Sequence, residues 1–279
     1  MIHATSLGAF CLYFTLIVLY LVQILSQRKA VALARVVKVV LYAAICLHSV
    51  LMGSVLRRYG LTIFESGADL VLWMSWLVAL VFSVSKQIRS SAIVGLIVVP
   101  LVVAFLGSSS YVMHGDVPNA PIDFSERGIV SLSHSLPVLI VLTSFALLFI
   151  GSVVFILVER RLRKKNHPYI DSNSINLQYL DNVNKYLALI GFVGLSLVIA
   201  SGGMWAVTQH KSLAFQDPSA LTGCVVWILL AISLHFRMVR GWSPRKLAQY
   251  TVVVAGGFIV SVVVILLVTG KITHSGLNV

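Results

Sequence analysis

Residues 212–242 read SLAFQDPSALTGCVVWILLAISLHFRMVRGW, and this stretch has three distinct parts. A polar loop that includes Asp217 comes first, an apolar segment of membrane-spanning length follows, and a basic exit begins at Arg237. The apolar segment carries one histidine, His235, which loses hydration when a helix enters lipid. A histidine inside a membrane span is therefore a candidate functional residue whose partner has to be found.

The apolar part of this stretch is repeated along the whole chain. Hydrophobic residues make up 58% of the 279 residues, charged residues make up 11%, and the mean hydropathy is +0.96. Soluble domains are roughly one quarter charged, and a helix needs about 17 to 25 apolar residues to cross a bilayer. Runs of that kind cover residues 6–27, 37–57, 67–85, 91–112, 129–157, 185–208, 219–239 and 247–270. The sequence therefore predicts an all-α, polytopic membrane helix bundle of about eight transmembrane helices, with residues 1–279 forming a single membrane domain.

The distribution of charge predicts an orientation in the membrane. The formal net charge is +12, and 16 of the 21 Lys and Arg residues lie in the connections between spans 1 and 2, 3 and 4, 5 and 6, and 7 and 8. The positive-inside rule places those connections in the cytoplasm and both termini outside it. We therefore expect a multi-pass protein of the plasma (inner) membrane whose basic residues face the cytoplasm rather than nucleic acid.

The N-terminus and the cysteines carry no further signal. The first ten residues, MIHATSLGAF, lack the basic region and the small-residue cleavage pattern of a signal peptide, so the first span is expected to be retained. The three cysteines occur singly within apolar runs, and none forms a C-x-x-C pair. Neither a disulfide framework nor a thiol-exchange site is predicted.

Several residues in or near the spans bear on structure or function, and two polar ones, His48 and Glu65, allow either interpretation. His48 lies about ten residues, or roughly 15 Å of helix, beyond Lys38, so it is either a neutral histidine bonded to a neighbouring helix or a metal ligand. Glu65 lies at the outer start of the third span, where it is either hydrated or paired with a cation. Gly202 and Gly203 indicate a close approach between helices.

The spacing within residues 212–242 resembles that of the cytochrome c assembly (CcsA/HemX/YpjD-like) integral membrane protein family. Trp227 follows Asp217-Pro218 by ten positions from the aspartate, and His235 follows Trp227 by eight. The resemblance extends over about residues 40 to 276. Further matching positions are Phe64-Glu65-Ser66 ahead of Trp73, His134 ahead of Phe145-Ala146, the basic exit from Glu159 to Lys165, Trp205 in a G-x-W-A segment, and His274 in a T-H-S segment.

This resemblance implies haem as a cofactor and four histidines as its ligands. His48 and His235 would bind the iron of one haem within the membrane, and His134 and His274 would bind a second haem at the outer surface. Glu65, Trp205, Phe215, Asp217 and Trp227 would form the haem loop and support the site. The family's loop carries two tryptophans and a lysine-glutamate pair, and here those positions are Ala214, Gln216, Ser219 and Ala220.

Three functions are compatible with these features. The first is a haem-handling membrane protein of cytochrome c maturation, which binds or passes haem and is not an enzyme. The second is a HemX-like accessory or regulatory protein of tetrapyrrole synthesis with a degenerate haem loop, acting through partner proteins of either pathway. The third is a small-solute transporter, for which no internal repeat is evident.

Overall fold

The apolar runs form helices because a backbone that crosses lipid has to satisfy its own hydrogen bonds. The computed structural model describes residues 2–25, 31–60, 67–85, 91–108, 126–163, 176–208, 218–239 and 241–274, with only the backbone described at several helix ends. The helices are α1 Ile2–Leu25, α2 Val31–Tyr59, α3 Gly67–Val84, α4 Ala92–Ser108, α5 Glu126–Arg163, α6 Leu177–Thr208, α7 Pro218–Met238 and α8 Pro244–His274. All regular structure in the described part of the chain is helical, which confirms the predicted all-α class.

Each of the eight predicted spans coincides with one helix. Six of the helices are long and apolar enough to cross a membrane, whereas the apolar parts of α3 and α4, Leu70–Val84 and Ala92–Gly107, are shorter. Pro100 lies inside α4, as predicted. The prediction of a polytopic membrane helix bundle is confirmed.

The helices group into two compact units. The first contains Met1–Ile129 and Asn166–Asn176, and the second contains Val130–Lys165 and Leu177–Val279. This division into units does not test whether residues 1–279 form a single membrane domain, which stays a prediction.

In the first unit, α1 packs against α2 and α4, and α3 packs against the same two helices. Close approach of α1 and α4 depends on Gly95, because a Cβ atom there would meet the ring of Tyr20. On the other side of the unit, Trp76 Nε1 of α3 donates a hydrogen bond of 3.0 Å to Ser49 Oγ of α2. Small residues and interhelical hydrogen bonds therefore replace the hydrophobic driving force that lipid removes.

In the second unit, aromatic rings of α5 pack against glycines of its neighbours. The ring of Phe145 is fully buried and lies 4.6 Å from that of Phe258 in α8, measured between centroids. A Cβ atom at Gly191 of α6 would lie 3.2 Å from Phe145 Cε2, and one at Gly256 of α8 would lie 3.1 Å from Phe149 Cε2. Glycine at these two positions leaves room for the rings of α5.

A short aromatic turn joins α7 to α8. Gly241 adopts a positive φ of 58°, which suits glycine at the end of a helix. The N–H of Trp242 donates to Phe236 O at 3.2 Å, and the two rings stack with centroids 4.2 Å apart. Tyr250 Oη then donates to Leu229 O at 3.0 Å, so the two helices are held as an antiparallel pair.

Candidate functional site

His134 of α5 is half-buried and is held by a serine of α6. Its Nδ1 lies 2.9 Å from Ser201 Oγ. Ser201 Oγ in turn donates to Val198 O at 3.2 Å within α6. Nε2 of His134 forms no hydrogen bond with the part of the chain that the structure describes. His134 therefore offers one ring nitrogen for a further partner.

The backbone of α6 also lies close to His134. A Cβ atom at Gly202 would lie 3.5 Å from His134 Cε1, which is an ordinary contact distance. A Cβ atom at Gly203 would meet no described atom within 4 Å. Of the two glycines, only Gly202 is therefore close to another helix in the described part of the chain. A helix turns by about 100° per residue, so Gly203 faces another direction.

His48 of α2 is completely buried, and both of its ring nitrogens have partners. Nδ1 lies 3.3 Å from Tyr13 Oη of α1, and Nε2 lies 3.5 Å from Ser75 Oγ of α3. The Tyr13 ring meets the imidazole edge-on, with centroids 5.8 Å apart. His48 therefore joins three helices of the first unit, which corresponds to the structural interpretation left open above.

His235 is in the last turn of α7, and its side chain is exposed. Its ring lies near that of Phe236, with centroids 6.0 Å apart, and forms no hydrogen bond with the described residues. Two positions further on, Arg237 Nη2 donates to Asp181 Oδ1 of α6 at 2.8 Å. The end of α7 that carries His235 is thereby tied to the start of α6.

Trp227 is eight residues before His235 and is anchored to α6. Its Nε1 donates to Ser196 Oγ at 2.9 Å, and its ring stacks on Phe192 with centroids 5.3 Å apart. The indole therefore serves within the second unit to hold α7 against α6.

The remaining predicted site residues are described only in part or not at all. Trp205 and His274 lie on α6 and α8, but the structure does not describe their side chains. Glu65, Phe215 and Asp217 lie outside the described residues. The predicted pair of His134 and His274 therefore stays a prediction. The predicted pair of His48 and His235 also stays a prediction, since these two histidines belong to different units.

Ser201, Tyr13 and Ser75 were not identified as site residues from the sequence. Serine and tyrosine are common in membrane helices, and no motif distinguishes these three. The signal in the sequence is that Ser201 directly precedes Gly202 and Gly203, the pair that predicts a close approach between helices.

The histidines differ in how well they suit a haem iron. An axial ligand needs a ring nitrogen with a free lone pair and space beside it. His134 and His235 meet the first condition, since each has a ring nitrogen without a described hydrogen bond. His48 does not fit in this arrangement, because Tyr13 and Ser75 occupy both of its nitrogens.

Comparison with known proteins gives one family over nearly the whole chain. The sequence profile of the cytochrome C assembly protein family matches residues 2–274. Proteins named cytochrome c biogenesis protein CcsA are similar over parts of the chain. The one from Chlamydomonas reinhardtii is 34% identical over 124 residues, which are 44% of this chain and 34% of the relative. The one from Welwitschia mirabilis is 33% identical over 87 residues, 30% of this chain and 28% of the relative.

A longer match is found with the protein of the same name from Prochlorococcus marinus (strain NATL1A), which is 25% identical over 201 residues, 62% of each chain. The chain thus spans between about a quarter and three fifths of the length of these relatives. No solved structure matches the chain.

Proposed function

The chain belongs to the cytochrome c assembly protein family, and on that premise we propose that it takes part in cytochrome c maturation by binding haem or passing it across the membrane. The hydrogen bonding of His134 is the single observation that carries this proposal. It has one nitrogen held by Ser201 and the other without a described partner. Metal-bound histidines usually have this arrangement, in which the second nitrogen donates to a neighbouring group.

The proposed ligands are His134 and His274 at one site and His48 and His235 at the other. Haem would supply the iron and a large apolar surface, and the chain would bind and orient it without making or breaking covalent bonds. His235 is exposed at the end of α7, where Arg237 and Asp181 fix the helix. His48 would become a ligand only if its hydrogen bond with Tyr13 opened.

We also propose an inner-membrane location with both termini outside the cytoplasm. The basic residues at the end of α5 support this orientation, because Arg160, Arg161 and Arg163 are exposed in its last turn. Arg240 in the connection between α7 and α8 would lie on the same side.

The test is the haem content of purified variants. His134→Ala and His235→Ala should each lower the haem content per protein, measured by pyridine haemochrome analysis of equal amounts of protein, because each removes one of the two proposed sites. His3→Ala is the matched control, since His3 is exposed on α1 and has no part in the proposed sites. Gel filtration in detergent shows whether each variant is folded. Equal haem in all three folded variants would contradict the proposal.

A second function is supported by a different observation. His48 is engaged by Tyr13 and Ser75, and the loop lacks the family's tryptophans at Ala214 and Gln216. These features favour an accessory or regulatory protein of tetrapyrrole synthesis that keeps the fold and acts through protein partners. A wild-type protein that folds without haem, and that co-purifies with enzymes of that pathway, would support this second function over the first.

A further inference from the structure

We propose that Ser201 is a positioning residue that keeps His134 in the tautomer with its proton on Nδ1, so that Nε2 is the ligand atom. The ligand role of Nε2 rests on the proposed function, whereas the tautomer follows from hydrogen bonds within the second unit. Because the tautomer is a property of the protein without haem, it is measurable separately.

Two protons are available between neutral His134 of α5 and Ser201 of α6, one on the imidazole and one on the hydroxyl. A serine hydroxyl has a single hydrogen, and that of Ser201 is donated to Val198 O at 3.2 Å. Towards His134 the same oxygen can then only accept, so the proton of the 2.9 Å contact has to be on His134 Nδ1. A neutral imidazole carries one N–H, and Nε2 is therefore left with its lone pair.

The reverse arrangement is less favourable in this environment. If Ser201 donated to Nδ1 instead, its bond to Val198 would be lost and the imidazole proton would move to Nε2. That N–H would have no acceptor in the described part of the chain, and an unpaired donor in a half-buried site is costly. The arrangement with Nδ1 protonated satisfies every donor on both residues.

His48 provides an internal comparison, because the same kind of serine bond leads to the opposite tautomer. Ser75 Oγ donates to Leu72 O at 2.7 Å, so it accepts from His48. Here, however, the serine faces Nε2, at 3.5 Å, and Tyr13 Oη faces Nδ1, at 3.3 Å. His48 should therefore carry its proton on Nε2 and accept from Tyr13 at Nδ1. Opposite tautomers are thus expected for these two histidines.

The His134 ring also lies near the backbone of α6. Its Cε1 would lie 3.5 Å from a Cβ atom placed on Gly202, so the ring lies against the backbone of α6. Any larger residue at position 202 would fill the space beside the ring. The serine bond defines the identity of the free nitrogen, and the ring lies beside Gly202 of α6.

The experiment measures tautomers in the haem-free protein. The protein is labelled with ¹⁵N-histidine and reconstituted in lipid nanodiscs, and the ¹⁵N chemical shifts distinguish N–H from unprotonated ring nitrogens. His134→Gln and His48→Gln assign the two signals. We expect His134 protonated on Nδ1 and His48 protonated on Nε2. The reverse tautomer for His134 in the wild-type protein would overturn the proposal.

Variants then separate positioning from folding. Ser201→Ala should abolish the fixed Nδ1–H tautomer and weaken haem binding about tenfold, as loss of a residue behind a metal-bound histidine commonly does. Ser201→Thr keeps the hydroxyl and should keep the tautomer. Ser261→Ala is the matched control, since Ser261 is also part-buried and bonded to its own helix, at Phe258 O, and has no hydrogen bond with a described histidine.

The possible results distinguish this inference from the proposed function. A wild-type protein with the expected tautomers but no haem would contradict the haem function and leave the role of Ser201 as a positioning residue intact. A Ser201→Ala variant that keeps the Nδ1–H tautomer would refute the role of Ser201 even if haem is bound. If Ser201→Ala fails to fold, the wild-type shifts and those of Ser201→Thr still decide the question.

Discussion

Replacing Arg237 by alanine should cost far more stability than replacing Arg163 by alanine, although both arginines form ion pairs of the same length. Arg237 Nη2 lies 2.8 Å from Asp181 Oδ1, and the two side chains are only 16% and 18% exposed. Its Nη1 also donates to Asp181 O at 3.3 Å. Arg163 Nη2 lies 2.8 Å from Glu159 Oε1, but the arginine is 67% exposed and lies on the same helix.

The expected magnitudes follow from this difference in exposure. At 2.8 Å and an effective dielectric constant of about 20, the Coulomb attraction of the Arg237 pair is about 6 kcal/mol, and the lost hydration of both ions offsets part of it. Removing one partner of a buried pair leaves the other charge unpaired, which costs about 3 to 5 kcal/mol. Because the Asp181 carboxylate retains some exposure, we expect a loss of about 2 to 4 kcal/mol for Arg237→Ala. In the other pair only Arg163 is exposed, and Glu159, at 11% exposure, would keep Arg245 Nε 3.5 Å from its Oε2. Removing the exposed partner Arg163 should therefore cost only about 0.2 to 1 kcal/mol.

Unfolding in mixed micelles with increasing sodium dodecyl sulfate, followed by circular dichroism, gives the free energy of unfolding of each variant. Asp181→Ala and the double variant Arg237→Ala/Asp181→Ala complete a double-mutant cycle, in which a coupling energy of about 1 to 3 kcal/mol is expected. Two outcomes would refute the reasoning. One is an equal loss of stability for Arg237→Ala and Arg163→Ala, and the other is strict additivity in the cycle.

Two further predictions concern the topology and the loop before α7. A reporter that is active only in the cytoplasm should be inactive when fused after Val279, because the basic connections are expected in the cytoplasm and the C-terminus on the other side of the membrane. Activity of that fusion would reverse the predicted orientation. Restoring tryptophan at Ala214 and Gln216 should raise the haem content, because flat apolar cover of roughly 100 Å² contributes about 2 to 3 kcal/mol. His134→Ala or His274→Ala should reverse that gain, and unchanged haem in a folded tryptophan variant would show that the loop no longer serves haem.

The helices and the family could be predicted from the sequence because their signals are local. A run of apolar residues long enough to cross a bilayer forms a helix wherever it occurs, since lipid offers the backbone no other hydrogen-bond partner. The spacing from Asp217 through Trp227 to His235 is likewise a property of one short segment. For the same reason the depth of His48 within a span marks it as a candidate, and the resemblance to the family marks His134.

The state of each histidine was decided only by the tertiary structure. The partner of His134 is 67 residues away on α6, and that of His48 is 35 residues away on α1. Both histidines lie within apolar runs and beside a serine in the sequence, yet His48 has both nitrogens engaged and His134 has one. Which nitrogen carries the proton depends on the direction from which a hydroxyl of another helix approaches the ring. That direction is set by how the helices pack, through contacts such as Gly202 against the His134 ring, and no local pattern encodes it.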